Sequence, residues 1–137
     1  RYSSIPTDTD LIVIIAGHND AYIVDENLEK QDKLRQGLDR LLKCSKKEYP
    51  KSKIGWVTPW NVAYEGFPAT LGIIKEVCRQ NGVAVLDAAL TSGINPNDSA
   101  FRACYFQSSA DNAHLNAAGH ERIMDWGKQF LVSLCCE

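Results

Sequence analysis

An α/β domain on a parallel sheet is the fold class this sequence predicts. Strand-type apolar runs alternate with helix-type periodic segments along the chain, and no linker, repeat or low-complexity stretch interrupts the alternation. The first run, Leu11-Ile12-Val13-Ile14-Ile15-Ala16, is apolar at every position, as a strand buried on both faces requires. Its 137 residues are enough for one domain or most of one, with an apolar fraction ordinary for a globular protein.

After that strand, Gly17-His18-Asn19-Asp20 reads as a turn at its carboxyl end. Leu34, Leu38, Leu41 and Leu42 then fall at i, i+4, i+7 and i+8, one apolar stripe on a helix from about Glu26 to Lys47, ended by Tyr49-Pro50. Lys53 to Thr58 is the second strand, stopped by Pro59. A helix from about Ala69 to Gln80 follows, carrying Leu71, Ile74, Val77 and Cys78 inward, with Asn81-Gly82 as its left-handed stop. Val83 to Leu86 is the third strand. A Gly-, Pro- and Asn-rich loop from Thr91 to Asp98 leads on, and the last helix, about Ala117 to Leu134, is expected to bury Ile123, Phe130, Leu131 and Leu134.

Consecutive parallel strands joined by right-handed crossovers extend a sheet in one direction only, so one flank of the Leu11 strand is expected to lack a neighbour. Such an edge exposes apolar surface and unpaired backbone groups, and calls for a companion chain or an oligomer to complete the sheet.

A net charge of −2, with Lys residues spread over helix faces, argues against nucleic acid or an anionic membrane as partner and leaves a small neutral or mixed substrate. No apolar stretch approaches the ~20 residues needed to span a bilayer, and no signal peptide is visible at Arg1. Cys44, Cys78, Cys104, Cys135 and Cys136 are odd in number and lack zinc-type spacing, which points to free thiols in a reducing, cytoplasmic-type compartment, with secretion open should a leader precede Arg1.

Two short segments carry the chemistry. In Asp111-Asn112-Ala113-His114-Leu115-Asn116, a carboxylate three residues before a histidine can fix the imidazole tautomer and leave the other ring nitrogen to take a proton from a hydroxyl. Asp-x-x-His alone is weak, since Asp111 could equally cap a turn and His114 lie idle on the surface. In Gly17-His18-Asn19-Asp20, at the end of a buried strand where open α/β sheets collect their active sites, Gly17 permits a sharp turn and the Asn19 carboxamide can donate to an oxyanion. Without the dyad, Asn19 reads as a turn residue; Asp20 reads as structural and His120 as part of a helix start. His18, Trp60, Tyr22, Tyr64 and Phe106 could line a substrate pocket or simply pack in the core. A metal site from His18, Asp20, Asp111 and His114 is not demanded by their spacing, and no cofactor is expected.

Together, Gly17-x-Asn19-Asp20 after a hydrophobic strand and Asp111-x-x-His114-x-Asn116 with Gly119-His120 before the last helix resemble the SGNH (GDSL-type) hydrolases over nearly the whole chain. The resemblance implies a flavodoxin-like three-layer α/β/α fold with a parallel sheet and a Ser-His-Asp esterase site. In it His114 is the general base, Asp111 its orienting partner and Asn19 an oxyanion-hole donor, with Gly17, His18, Trp60 and Phe106 toward substrate. The family's Gly-Asp-Ser block is absent, and the chain begins close to the family's third strand. Residues 1–137 are therefore expected to be the carboxyl-terminal portion of one such domain, without its first two strands and its nucleophile. Ser3, Ser4, Ser92, Ser108 and Ser109 offer no strand-turn-helix elbow to replace that serine. The implied activity is hydrolysis of a small ester or an O-acetylated carbohydrate; the alternative is a non-catalytic α/β module that binds a ligand or partner.

Overall fold

The computed structural model describes residues 4–136; Ser3 lies outside them. Three parallel strands, β1 (Leu11–Ile15), β2 (Lys53–Val57) and β3 (Ala84–Leu86), form a sheet in the order β1-β2-β3. Ile12 stands opposite Ile54, and Ile14 opposite Trp56, which is itself opposite Val85. Alternation along the strands therefore sends these five side chains to one face. There they meet Leu38 and Leu42 of α2 (Leu28–Glu48) and Ile73, Ile74 and Val77 of α3 (Phe67–Gln80), making the main core.

The opposite face belongs to α6 (Ala117–Cys136). A Cβ on Gly55 would come within 2.6 Å of Leu134 Cδ1 and 2.9 Å of Phe130 Cζ, so the missing side chain on β2 is what lets α6 lie against the sheet. Helices α2 and α3, the sheet, and α6 are the three layers of an α/β/α fold.

The long helix starts two residues later than its stripe predicts because Asn27 caps it, its Oδ1 accepting from the Glu29 and Lys30 backbone N–H groups at 2.9 and 3.2 Å. At the other end Tyr49 closes it, its N–H bonded to the Ser45 carbonyl. Helix α3 starts two residues earlier than expected, since Pro68 fits the first turn, where its missing N–H costs nothing. Gly82 takes the expected left-handed conformation, φ 57°.

Three short helices were not legible as helices: α1 (His18–Ile23), α4 (Ala88–Thr91) and α5 (Ser99–Tyr105). Each is too short to show a 3.6-residue stripe, and α4 and α5 begin at capping aspartates, Asp87 and Asp98, that also read as turn residues. Leu131 is a correction of another kind: expected inside, it is 41% exposed, with Met124 and Val132 also in the open.

The β1 flank is open, as the topology predicts. Among the described residues nothing pairs with its outer edge; Leu11 to Ile14 are only half-buried and Ile15 is 73% exposed. No helix among the described residues is long and apolar enough to cross a membrane, and all five cysteines are free. Burial pushes the Cys78 thiol up to about 11, which leaves it inert.

Candidate active site

The site lies at the carboxyl end of β1. The chain leaves the strand through Gly17, whose φ of 119° no other residue adopts comfortably. A Cβ there would also lie 2.6 Å from Ile74 Cδ1. This turn starts α1 at once, so Asn19 sits in its first turn rather than in a loop. Asn19 is exposed, and its carboxamide carries no hydrogen bond from the described residues, which leaves its N–H groups available to a ligand oxygen. Asp20, on the same turn, contributes its backbone carbonyl to Val24 at the helix end, and the residue borders the same cleft as Asn19.

The dyad forms on the loop between α5 and α6. Asp111 Oδ1 accepts from the backbone N–H groups of Ala113 and His114 at 2.8 and 2.9 Å, and Oδ2 lies 3.0 Å from His114 Nδ1. One carboxylate thus folds the turn with one oxygen and orients the imidazole with the other. Burial is the largest single influence on Asp111 and raises its pKa. The His114 and Ala113 N–H groups and the His114 ring together outweigh it, and the carboxyl ends below its ordinary value. Asp111 is therefore ionised at neutral pH, and its acceptance from Nδ1–H leaves Nε2 as the basic nitrogen. The His114 side chain is 77% exposed against 22% for Asp111, so that nitrogen is open to substrate.

The loop is anchored on every side. Trp60 Nε1 donates to the Ala113 carbonyl at 3.0 Å, and the Tyr64 hydroxyl lies 2.9 Å from Asn112 Nδ2. Gln107 receives the chain on the other side, its N–H bonded to His114 O and its Nε2 to Leu115 O, both at 2.9 Å. Asn116 donates to the Cys104 and Phe106 carbonyls and accepts from Gly119 N–H, which fixes the start of α6.

Gly17, His18, Asn19, Trp60 and His114 line one cleft of about 790 Å³. His120, in the first turns of α6, borders it as well. Its floor is apolar: Val13, Ile15, Val57 and Leu86 from the sheet, Ile123, Phe130 and Leu131 from α6. Phe106 is not among the lining residues. It is 2% exposed and packs with Ile94 and Leu115, so its expected place toward substrate is corrected to the core. Tyr22 and Tyr64 do not border the cleft; they pack edge to face against each other at 5.5 Å.

No serine among the described residues borders this cleft. Ser92 is buried and bonded to the Ala88 carbonyl, while Ser4, Ser108 and Ser109 are exposed elsewhere. The hydroxyl of Thr58, which does line the cleft, accepts from the Ala88 and Ala89 backbone N–H groups. Among the described residues no group of three or more His, Cys, Asp or Glu side chains is placed to hold a metal ion.

Sequence reasoning found Asp111, His114 and Asn19 because each has a chemistry-bearing side chain in a recognisable spacing. It missed Asn112, Gln107 and the anchoring role of Tyr64, since these act through pairings 8 to 48 residues apart in the chain that no local pattern encodes.

No protein-family model matches the chain, and no curated protein matches it significantly. Its fold is shared by solved structures. A crystal structure of a Lactobacillus plantarum protein from a structural genomics consortium matches with a TM-score of 0.80 at 23% identity, over 97% of this chain and 71% of its own. A second crystal structure matches with a TM-score of 0.78 at 23% identity, over 97% of this chain and 68% of its own. Close to a third of each neighbour has no counterpart here. The class is thus a three-layer α/β/α domain with a parallel sheet.

Proposed function

We propose that this chain is the base-bearing part of an ester hydrolase of the SGNH type, a carboxylesterase or a carbohydrate O-acetylesterase. The observation that carries the reading is the oriented Asp111–His114 dyad on the same cleft as the unengaged carboxamide of Asn19. A serine hydroxyl would attack the ester carbonyl while His114 Nε2 takes its proton. The carbonyl oxygen, now an alkoxide, would be held in part by Asn19 N–H. Collapse breaks the bond to the alcohol oxygen, which receives the proton from His114, and water releases the acyl group by the same steps.

The serine must come from outside the described residues. The open edge of β1 and the apolar floor beside it are the natural place for a companion segment or subunit that completes the sheet and brings the hydroxyl to His114. Turnover of p-nitrophenyl acetate by the native assembly tests the reading: His114→Ala should abolish it. Asn19→Ala should lower kcat by about 10²–10³, the effect of one oxyanion donor in other serine hydrolases. Turnover unchanged in both variants would reject it.

A second reading, a non-catalytic binding module, is favoured by one observation: no serine hydroxyl among the described residues reaches the cleft.

A further inference from the structure

One charged side chain at the cleft takes no part in that chemistry. Asp20, half-buried in the first turn of α1 beside Asn19, borders the cleft, and its carboxylate has no hydrogen bond or ion pair among the described residues. Lys30 and Lys33 share with it a second, smaller hollow between α1 and α2, but their ammonium groups are taken by Asp25 at 2.6 Å and Glu29 at 2.7 Å. Among the described residues that line the cleft itself there is no Lys or Arg, and Asp20 is the only carboxylate.

Two indoles line the same cleft. Trp60 and Trp126 are half-buried, and each is held by its ring N–H at 3.0 Å, Trp60 by the Ala113 carbonyl and Trp126 by Thr91 Oγ1. Their N–H groups are thus engaged, and what a ligand meets of either indole is carbon and π surface. Aromatic faces attract a cation through the ring quadrupole, and apolar walls focus the field of the one carboxylate between them. An anionic ligand meets the opposite, a repelling carboxylate and no Lys or Arg to pair with.

We propose that the cleft takes a ligand carrying an ammonium group, and that Asp20 is the residue that selects for its charge. On the esterase reading, on which this part rests, the substrate is then a cationic ester such as an acylated amino alcohol; binding of the cation does not depend on that reading. An ion pair with Asp20 and a cation–π contact together favour an ammonium over its neutral isostere by about tenfold. Removing the carboxylate alone takes back about threefold.

The test is an NMR titration of the full chain with tetramethylammonium at constant ionic strength. The indole N–H signals of Trp60 and Trp126 should shift saturably, and that of Trp56, buried in the main core, should not. The neutral probe tert-butanol should bind about tenfold more weakly. Asp20→Asn should weaken tetramethylammonium about threefold and leave tert-butanol unchanged, while Asp20→Glu, which restores the charge, should recover the wild-type affinity. No saturable shift, equal affinity for the two probes, or an Asp20→Asn variant that binds the cation as the wild type does would overturn the proposal. Should that variant not fold, the wild-type comparison of the two probes decides.

Turnover separates the two readings. The native assembly should hydrolyse acetylcholine with kcat/KM about tenfold above that of the isostere in which carbon replaces the ammonium nitrogen. Cation binding without any His114-dependent turnover would remove the esterase reading and leave the cation site standing. Turnover without cation binding or preference for the charged ester would do the reverse.

Discussion

Replacing Asp111 separates the two tasks of its carboxylate. Asp111→Ala removes the acceptor for two backbone N–H groups at 2.8 and 2.9 Å as well as the partner of His114 Nδ1. Loss of such a cap costs about 1–2 kcal/mol, and for a chain of this length each kcal/mol lowers Tm by roughly 3–5 °C. Asp111→Asn keeps an oxygen for the backbone and places an amide against Nδ1. Its stability should fall by less than about 1 kcal/mol, while the imidazole is forced into the opposite tautomer and Nε2 ceases to be basic. The corresponding change in a serine protease lowers kcat about 10⁴-fold. Thermal unfolding gives the first quantity, and nitrogen-15 shifts of the imidazole give the second without any substrate. An Asn variant as unstable as the Ala variant, or one whose His114 keeps the wild-type tautomer, would refute the reasoning.

Other consequences can be measured on the same protein. Gly17→Ala forces an L-residue to φ 119° against Ile74 and should cost about 1–3 kcal/mol in urea unfolding. Ile15→Lys, on the open flank, should change the stability of the chain alone by less than about 0.5 kcal/mol while lowering self-association in light scattering; a large loss of stability would mean that the flank is covered. Acidification should destabilise the fold in two stages, read from chemical unfolding against pH. His18 has a folded pKa below its unfolded value near 6.5, so the native state binds fewer protons and stability drops as pH falls below that value. Asp111, with Asp25 beside Lys30 and Asp39 beside Lys43, gives the second loss as pH falls below 3.8.

The sheet and the long helices were legible because burial writes a period into the sequence. Leu38 and Leu42 on α2 and Ile74 and Val77 on α3 lie where their spacing puts them, and the unbroken apolar run of β1 announces a parallel strand. The open flank also followed from the order of strands alone. Helices α1, α4 and α5 were not legible, because four to seven residues held by an Asp cap or a glycine turn leave no repeat to detect. Leu131 misled for a related reason: its place in the stripe of α6 faces a cleft rather than packed core, and a stripe cannot tell the two apart. At the site, the dyad was visible as Asp-x-x-His, whereas the Trp60, Tyr64 and Gln107 anchors exist only once distant loops meet. Phe106 misled because an aromatic just before the dyad can face either way, and its antiparallel bridge to Leu115 turns it inward.

The esterase proposal requires that His114 serve a serine from outside the described residues, since none of these brings a serine to the cleft. A fluorophosphonate probe on the native assembly, located by intact mass and peptide mapping, tests it most directly. The expected result is an adduct on a serine outside residues 4–136, formed with the wild-type chain and lost with His114→Ala. An adduct on Ser4, Ser92, Ser108 or Ser109, or labelling indifferent to His114, would contradict it.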